Sequence, residues 1–337
     1  MTTPTRRAGT RCLRWLVLPS ALTLLAALSA TAQDAPNQND RTRLEDYRQG
    51  RQPITADAKA LFDKFNKYDA ARLAMSETQR PGTDRGFSWL VNDLDRRLLV
   101  PAHNSFNGNI FYSRLGSGDA KVAEAQRKYI DEFGKSAVEA LQGPATQAGN
   151  PLVRLNATRM IAEVCRSGYD GAAEACLKVL AKADESDAVK LYALQGLKDL
   201  FSILPNPPTQ TDPGIPEKTV FQKDNTGNLS PLERKCIQAL TDFIFRQPPA
   251  ESDAQDVDGQ FYVRREAVRA LALVRVQQVK NKGTVEGRPA LALLKIARGD
   301  GLNPPSNTPQ GPDYRSAGER IEAVIGFCNL VQPRSDR

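Results

Sequence analysis

The sequence predicts an all-α protein, an irregular α–α superhelix of stacked helical hairpins led by a helical N-terminal segment. Three observations carry this expectation. Apolar residues recur at helical spacing through most of the chain. Beyond residue 150 a twelve-residue phrase, opening on Val-basic in three of its four copies, keeps returning. No strand alternation of comparable strength interrupts it, and most prolines beyond residue 150 fall in two insertions.

The first residues read as a targeting segment. Arg6, Arg7, Arg11 and Arg14 precede any acid, the apolar "WLVLPSALTLLAALS" follows, and "ATA" stands before Gln33. That is the layout of a secretory signal peptide, residues 1–32. Its apolar run is short of the ~20 residues that span a bilayer, so no transmembrane segment is expected after cleavage. The Arg6–Arg7 pair lacks the hydrophobic residues of a twin-arginine signal, and Cys12 precedes the apolar run, which rules out a lipoprotein box. General export is expected, to the periplasm or cell envelope or into the medium.

Removing residues 1–32 changes the charge. The whole chain carries +7, from 46 basic and 39 acidic residues. Four of those bases and none of the acids leave with the segment, so 42 against 39 gives +3. So small a balance does not imply nucleic acid, although it permits weak attraction to anionic envelope polymers.

Residues 33–54 are polar and read as a flexible leader. Thr55 is placed to cap a helix over "ADAKALFDKFNKYDAARLAM". "FSWLVNDLDRRLLV" carries Phe87, Leu90, Val91, Leu94 and Leu98 at helical spacing, and Pro101 stops it. After a loop-like, aromatic stretch, Val122, Ala125, Tyr129, Phe133, Ala137 and Leu141 form another stripe. Residues 55–148 are therefore a helical segment able to pack.

Residues 149–331 hold the repeats: "VRLNATRMIAEV" (153–164), "VKLYALQGLKDL" (189–200), "VRREAVRALALV" (263–274) and "ERIEAVIGFCNL" (319–330). Counted from each first residue, positions +4, +8 and +11 stay apolar, from Ala157, Ile161 and Val164 to Ala323, Phe327 and Leu330. This spacing makes one buried stripe per helix, and the constant alanine at +4 lets a neighbouring helix approach closely. Helices between the phrases complete the hairpins, and the longer intervals hold Pro-rich insertions at 204–230 and 300–314.

From about residue 150 to 331 the chain resembles HEAT repeats, armadillo-type helical hairpins that build curved solenoids. As a whole it is similar to secreted, uncharacterised bacterial HEAT-repeat proteins. The resemblance implies that the Val-basic helix is the second of each pair and lines a concave surface. It also implies an Asp in the turn five residues before the Val, which Asp184 and Asp258 supply. Ala148 and Tyr314 hold that place in the first and last copies, as atypical capping units would. On these helices the face opposite the stripe carries Asn156, Arg159, Tyr192, Gln195, Glu266 and Arg269, with Arg265 beside them. The resemblance makes these the lining of a groove with a basic tint, whereas a plain solvated face is the other reading. The recurring base at the second position, Arg154, Lys190, Arg264 and Arg320, is assigned to pairing with inter-repeat turns.

Catalytic signals are sparse. His103 is the single histidine, which excludes sites needing two, and no GxSxG elbow is present. "DAQDVDGQ" has Asp256 and Asp258 but lacks ligands an EF-hand requires, so no metal and no cofactor is expected. Cys165 and Cys176 flank "RSGYDG" and form a candidate disulfide in an exported protein, while Cys236 and Cys328 read as core. The expected function is a non-catalytic interaction scaffold that binds a protein partner through its helical-repeat surface. An envelope enzyme with a site around His103, or an anionic-polymer binder, is the alternative.

Overall fold

The computed structural model describes residues 35–75, 87–102, 111–113, 120–202, 229–246, 254–274, 279–281, 284–300 and 316–331. The expected signal peptide, His103 and nearly all of both Pro-rich insertions lie outside these residues. Among those described are eleven helices, so the fold is all-α. They are α1 (Gln38–Arg48), α2 (Ala56–Leu73), α3 (Ser88–Leu98), α4 (Ala120–Gln147), α5 (Pro151–Arg166), α6 (Ala172–Ala181), α7 (Asp187–Ser202), α8 (Pro231–Ile244), α9 (Ala254–Ala272), α10 (Pro289–Ala297) and α11 (Ala317–Val331). Two antiparallel ladders, β1 (Val100–Ala102) with β2 (Phe111–Ser113) and β3 (Val279–Asn281) with β4 (Thr284–Gly287), lie in connections between helices, the first of them in a stretch expected to be loop-like. Three- and four-residue strands are too short to show an alternation in sequence.

Local chemistry starts the helices. The Thr55 hydroxyl accepts from the Ala58 N–H at 3.4 Å. Asn150 and Ser230 cap α5 and α8, each followed by a proline at the first helical position, where its missing N–H is no loss. The expected flexible leader is corrected here, because α1 runs through it. Asn37 and Asp40 form a reciprocal capping box. Leu44 and Tyr47, one turn apart, are buried. Each such side chain contributes about 1.5–3 kcal/mol, so two of them anchor an otherwise polar helix.

Pro36–Arg337 forms one compact unit, so the boundary expected at 148/149 falls inside a packed body. The helices of this unit contact one another in two rows. In one, α2 meets α4, α4 meets α6, α6 meets α8 and α8 meets α10. In the other, α3 meets α5, and α5, α7, α9 and α11 follow in order. The four phrases therefore occupy successive helices of one row, and α2 to α4 extend the two rows toward the N-terminus. Edge-on packing of Phe62 against Tyr129 (5.3 Å) and Phe133 (5.6 Å) joins α2 to α4, and Tyr47 of α1 packs on Phe62 at 5.9 Å.

The stripe is buried in the first three copies and at Ala323, while Phe327 of the fourth is half-buried. Ala157, Ala193, Ala267 and Ala323 at +4 are fully buried, as are Ile161, Leu197 and Leu271 at +8. Glycines at +7 bring two helix pairs closest. A Cβ on Gly196 of α7 would lie 3.2 Å from the Ala162 Cα of α5. One on Gly326 of α11 would overlap the Ala272 Cβ of α9 and lie 3.0 Å from its Cα. Asp258, expected in a turn, lies inside α9, which begins at Ala254. Only Asp184 sits in a turn, between α6 and α7. The segment with Asp256 and Asp258 is thus helical and cannot wrap a cation as a loop.

Candidate functional site

The row α5–α7–α9–α11 presents the predicted polar face, and the structure brings its residues together. Positions +3 and +6 of the first three phrases and +3 of the fourth form it. Arg159 donates to the Asn156 Oδ1 at 3.3 Å, and its guanidinium lies 5.2 Å from the Tyr192 ring centroid, linking α5 to α7. Gln195 is half-buried beside them. Lys198 pairs with Glu266, linking α7 to α9. Arg265 and Arg269 both reach Glu322, at 2.9 and 2.7 Å, linking α9 to α11, and Arg269 also pairs with Glu266 at 3.2 Å. Partial burial raises the Glu322 carboxyl pKa, but hydrogen bonds from Arg269 and Arg265 outweigh it and hold the pKa below the ordinary value.

At the α9–α11 end Lys198, Arg265 and Arg269 share Glu266 and Glu322, which reduces the expected basic tint to one unmatched charge. Sequence reasoning missed Lys198 and Glu322. Glu322 was visible as the +3 residue of the fourth phrase, equivalent to Glu266. Lys198 had no such signal, since only the packing of α7 on α9 aims it at Glu266.

The recurring base acts at the turns. Arg154 Nε pairs with Glu185, ahead of α7, at 2.9 Å, and its guanidinium donates to the Ala148 carbonyl at 2.7 Å. Lys190 donates to the Ala183 carbonyl at 3.1 Å and Arg320 to the Ala297 carbonyl at 3.2 Å. Arg264 pairs with Glu319 of α11.

The end of the row differs. Positions +2, +5 and +9 share a second face, which in the first three copies carries the next helix. Thr158, Leu194 and Val268 at +5 are fully buried. At +9, Ala162 and Ala272 meet Gly196 and Gly326, and Lys198 meets Glu266. At +2, Leu155 and Leu191 pack on the core, and Arg265 lies against Gly318 of α11. In the fourth copy these positions are Ile321, Val324 and Cys328. Ile321 is 57% exposed, Val324 48% and the adjoining Ile325 51%. Cys328 is exposed too, contrary to its expected place in the core, because no further described helix follows α11.

The thiols of Cys165 and Cys176 are 3.7 Å apart, both fully buried, where α5, α6 and α7 meet. Burial pushes the Cys165 thiol pKa well up, and that of Cys236 as well. Among the described residues no group of three or more His, Cys, Asp or Glu is placed to hold a metal ion. No described helix is long and apolar enough to cross a membrane. The chain matches no protein-family model and no curated protein.

Proposed function

We propose that this chain is an exported, non-catalytic interaction scaffold of the HEAT type, which seats a helix of a protein partner on the outward stripe of α11. The observation that carries this reading is the exposure of Ile321, Val324 and Cys328 at the positions that hold the next helix in the three preceding copies. With Ile325 they fall at i, i+3, i+4 and i+7, the anchor spacing of helix recognition. The occupant is an amphipathic helix with a small residue at its closest approach, the part Gly196 and Gly326 play within the row. Export rests on the basic, apolar and small-residue order of residues 1–32.

This reading moves binding from the polar face to the end of the row, since the charges at +3 and +6 are largely matched across helices. Nothing described favours a catalytic site around His103 or a charged-polymer surface over it. The test attaches a photoreactive maleimide to exposed Cys328 in the full chain and irradiates it in envelope extract. Cross-links should map to a helical segment of another protein and vanish in an Ile321→Lys, Val324→Lys variant with unchanged circular dichroism. Cross-links to a second copy, or the same products from the variant, would overturn the reading.

A further inference from the structure

A cavity of about 260 Å³ lies at the other end of the chain, lined by α1, α2, α3 and the residues just before α1. Four guanidiniums and three carboxylates line it. The carboxylates are taken up locally: Glu45 by Arg48 at 2.7 Å, Asp69 by Arg97 at 2.7 Å, and Asp93 also by Arg97. Arg41 stands exposed at the rim.

Arg72 is different. It is 9% exposed, and its guanidinium lies 3.8 Å from the Trp89 ring centroid and 5.3 Å from that of Tyr68. Among the described residues its guanidinium pairs with no carboxylate at ion-pair distance and donates no hydrogen bond, and Asp69 feels its charge only at longer range. Trp89 Nε1, on the same wall, is a buried donor with no acceptor among the described residues. Stacking on indole orients a guanidinium through its face and leaves its in-plane N–H fork unused. A buried cation with an unused fork suits an anion that can accept two parallel hydrogen bonds.

We propose that this cavity binds a small monocarboxylate, its carboxylate on the Arg72 fork and its body against Tyr68 and Trp89. Charge selects the class. Among the described lining residues four cations against three anions leave a surplus of one, and Glu45, Asp69 and Asp93 on the same walls repel a second negative charge. Size selects amino-acid-sized ligands, because the cavity falls just below the roughly 300–1,000 Å³ of sites for drug-sized molecules. The site is independent of α11 and of what binds there.

The chain's two tryptophans are Trp15 and Trp89, so a Trp15→Phe chain reports the cavity by fluorescence. Benzoate and N-acetylglycine are titrated, with benzamide as the neutral comparison and inorganic phosphate as the more highly charged one. Calorimetry runs in parallel. Both carboxylates should saturate a change in Trp89 emission below about 1 mM, benzamide should give none, and Arg72→Lys should weaken binding at least tenfold while keeping charge and stem. The proposal is overturned if neither carboxylate saturates, if benzamide or phosphate binds as well as benzoate, or if natively folded Arg72→Lys and Arg72→Gln bind like the parent. The comparison of benzoate with benzamide needs no variant, so it stands even where a substitution impairs folding.

Discussion

Arg264 Nε and Glu319 Oε1 lie 3.0 Å apart with both side chains out of solvent, joining α9 to the first turn of α11. Glu319 occupies the position held by valine in the other three phrases. It also accepts from the Ser316 N–H at 2.9 Å, while its own N–H donates to the Ser316 hydroxyl at 3.2 Å. The residue that sets the fourth phrase apart is therefore a helix cap and a buried counter-ion at once.

Glu319→Val restores the repeat phrase yet should destabilise the protein by about 3–5 kcal/mol, because it removes the buried carboxylate on which Arg264 Nε is paired. Adding Arg264→Met should recover most of that loss, since a buried ion pair is replaceable by apolar groups of similar volume. Urea midpoints of the two variants check this. A single variant as stable as the parent would show the pair to be dispensable.

Two glycine substitutions should move stability in opposite directions. A Cβ at Gly143 of α4 meets nothing within 4 Å. Gly143→Ala should therefore gain about 0.5–1 kcal/mol of helix propensity. Gly326→Ala should lose about 1–3 kcal/mol, because the new methyl drives into the Ala272 methyl and forces α9 and α11 apart. Thermal melts of the two side by side decide it.

The Glu322 cluster should contribute a stability term that acid removes. Its folded pKa is below the ordinary 4.5. The contribution is then fully present above about pH 4.5 and is lost as pH falls through the folded value. Comparing the parent with Glu322→Gln, the difference in melting free energy should be about 1 kcal/mol near neutrality, modest because the arginines are partly exposed. It should shrink toward zero on acidification below 4.5, and a difference independent of pH would contradict the pairing.

Contact between the Cys165 and Cys176 sulfurs sets a redox expectation. Closing 3.7 Å to a bond of about 2.05 Å needs a small movement, and an oxidising compartment preserves the product. Peptide mapping of exported protein without reductant should recover 165 linked to 176, with Cys236 and Cys328 unlinked. Because burial raises the Cys165 pKa, oxidation of the folded reduced protein should be slow at neutral pH and far slower than alkylation of exposed Cys328. Fast oxidation would contradict that burial.

What was legible in the sequence was periodic. The +4, +8 and +11 stripe, the Thr55 cap and the all-α class follow from spacing that a single helix imposes on itself. The leader's helix was hidden because Leu44 and Tyr47 make a stripe only one turn long, and its stability comes from Phe62, in another element. Asp258 was misplaced because a turn in one repeat need not recur where the helix starts earlier. The +3 and +6 residues could be named from spacing, but their pairing could not, since Glu322 and Lys198 matter only through helices remote in sequence. Arg72 gave no signal at all. One arginine among many stands out only when the fold has buried it on Trp89 with no ion-pair partner among the described residues.

The neighbour-only contacts of the two rows imply a graded resistance to local opening. In such an array each hairpin is secured by those beside it, so unfolding frays inward from the ends. Amide protons of α5 and α7, covered on both sides, should exchange most slowly, and those of α11, covered on one, soonest. A ligand seated on Ile321 and Val324 would then be visible as slowed exchange in the last helix, and in α9 behind it, before its identity is known.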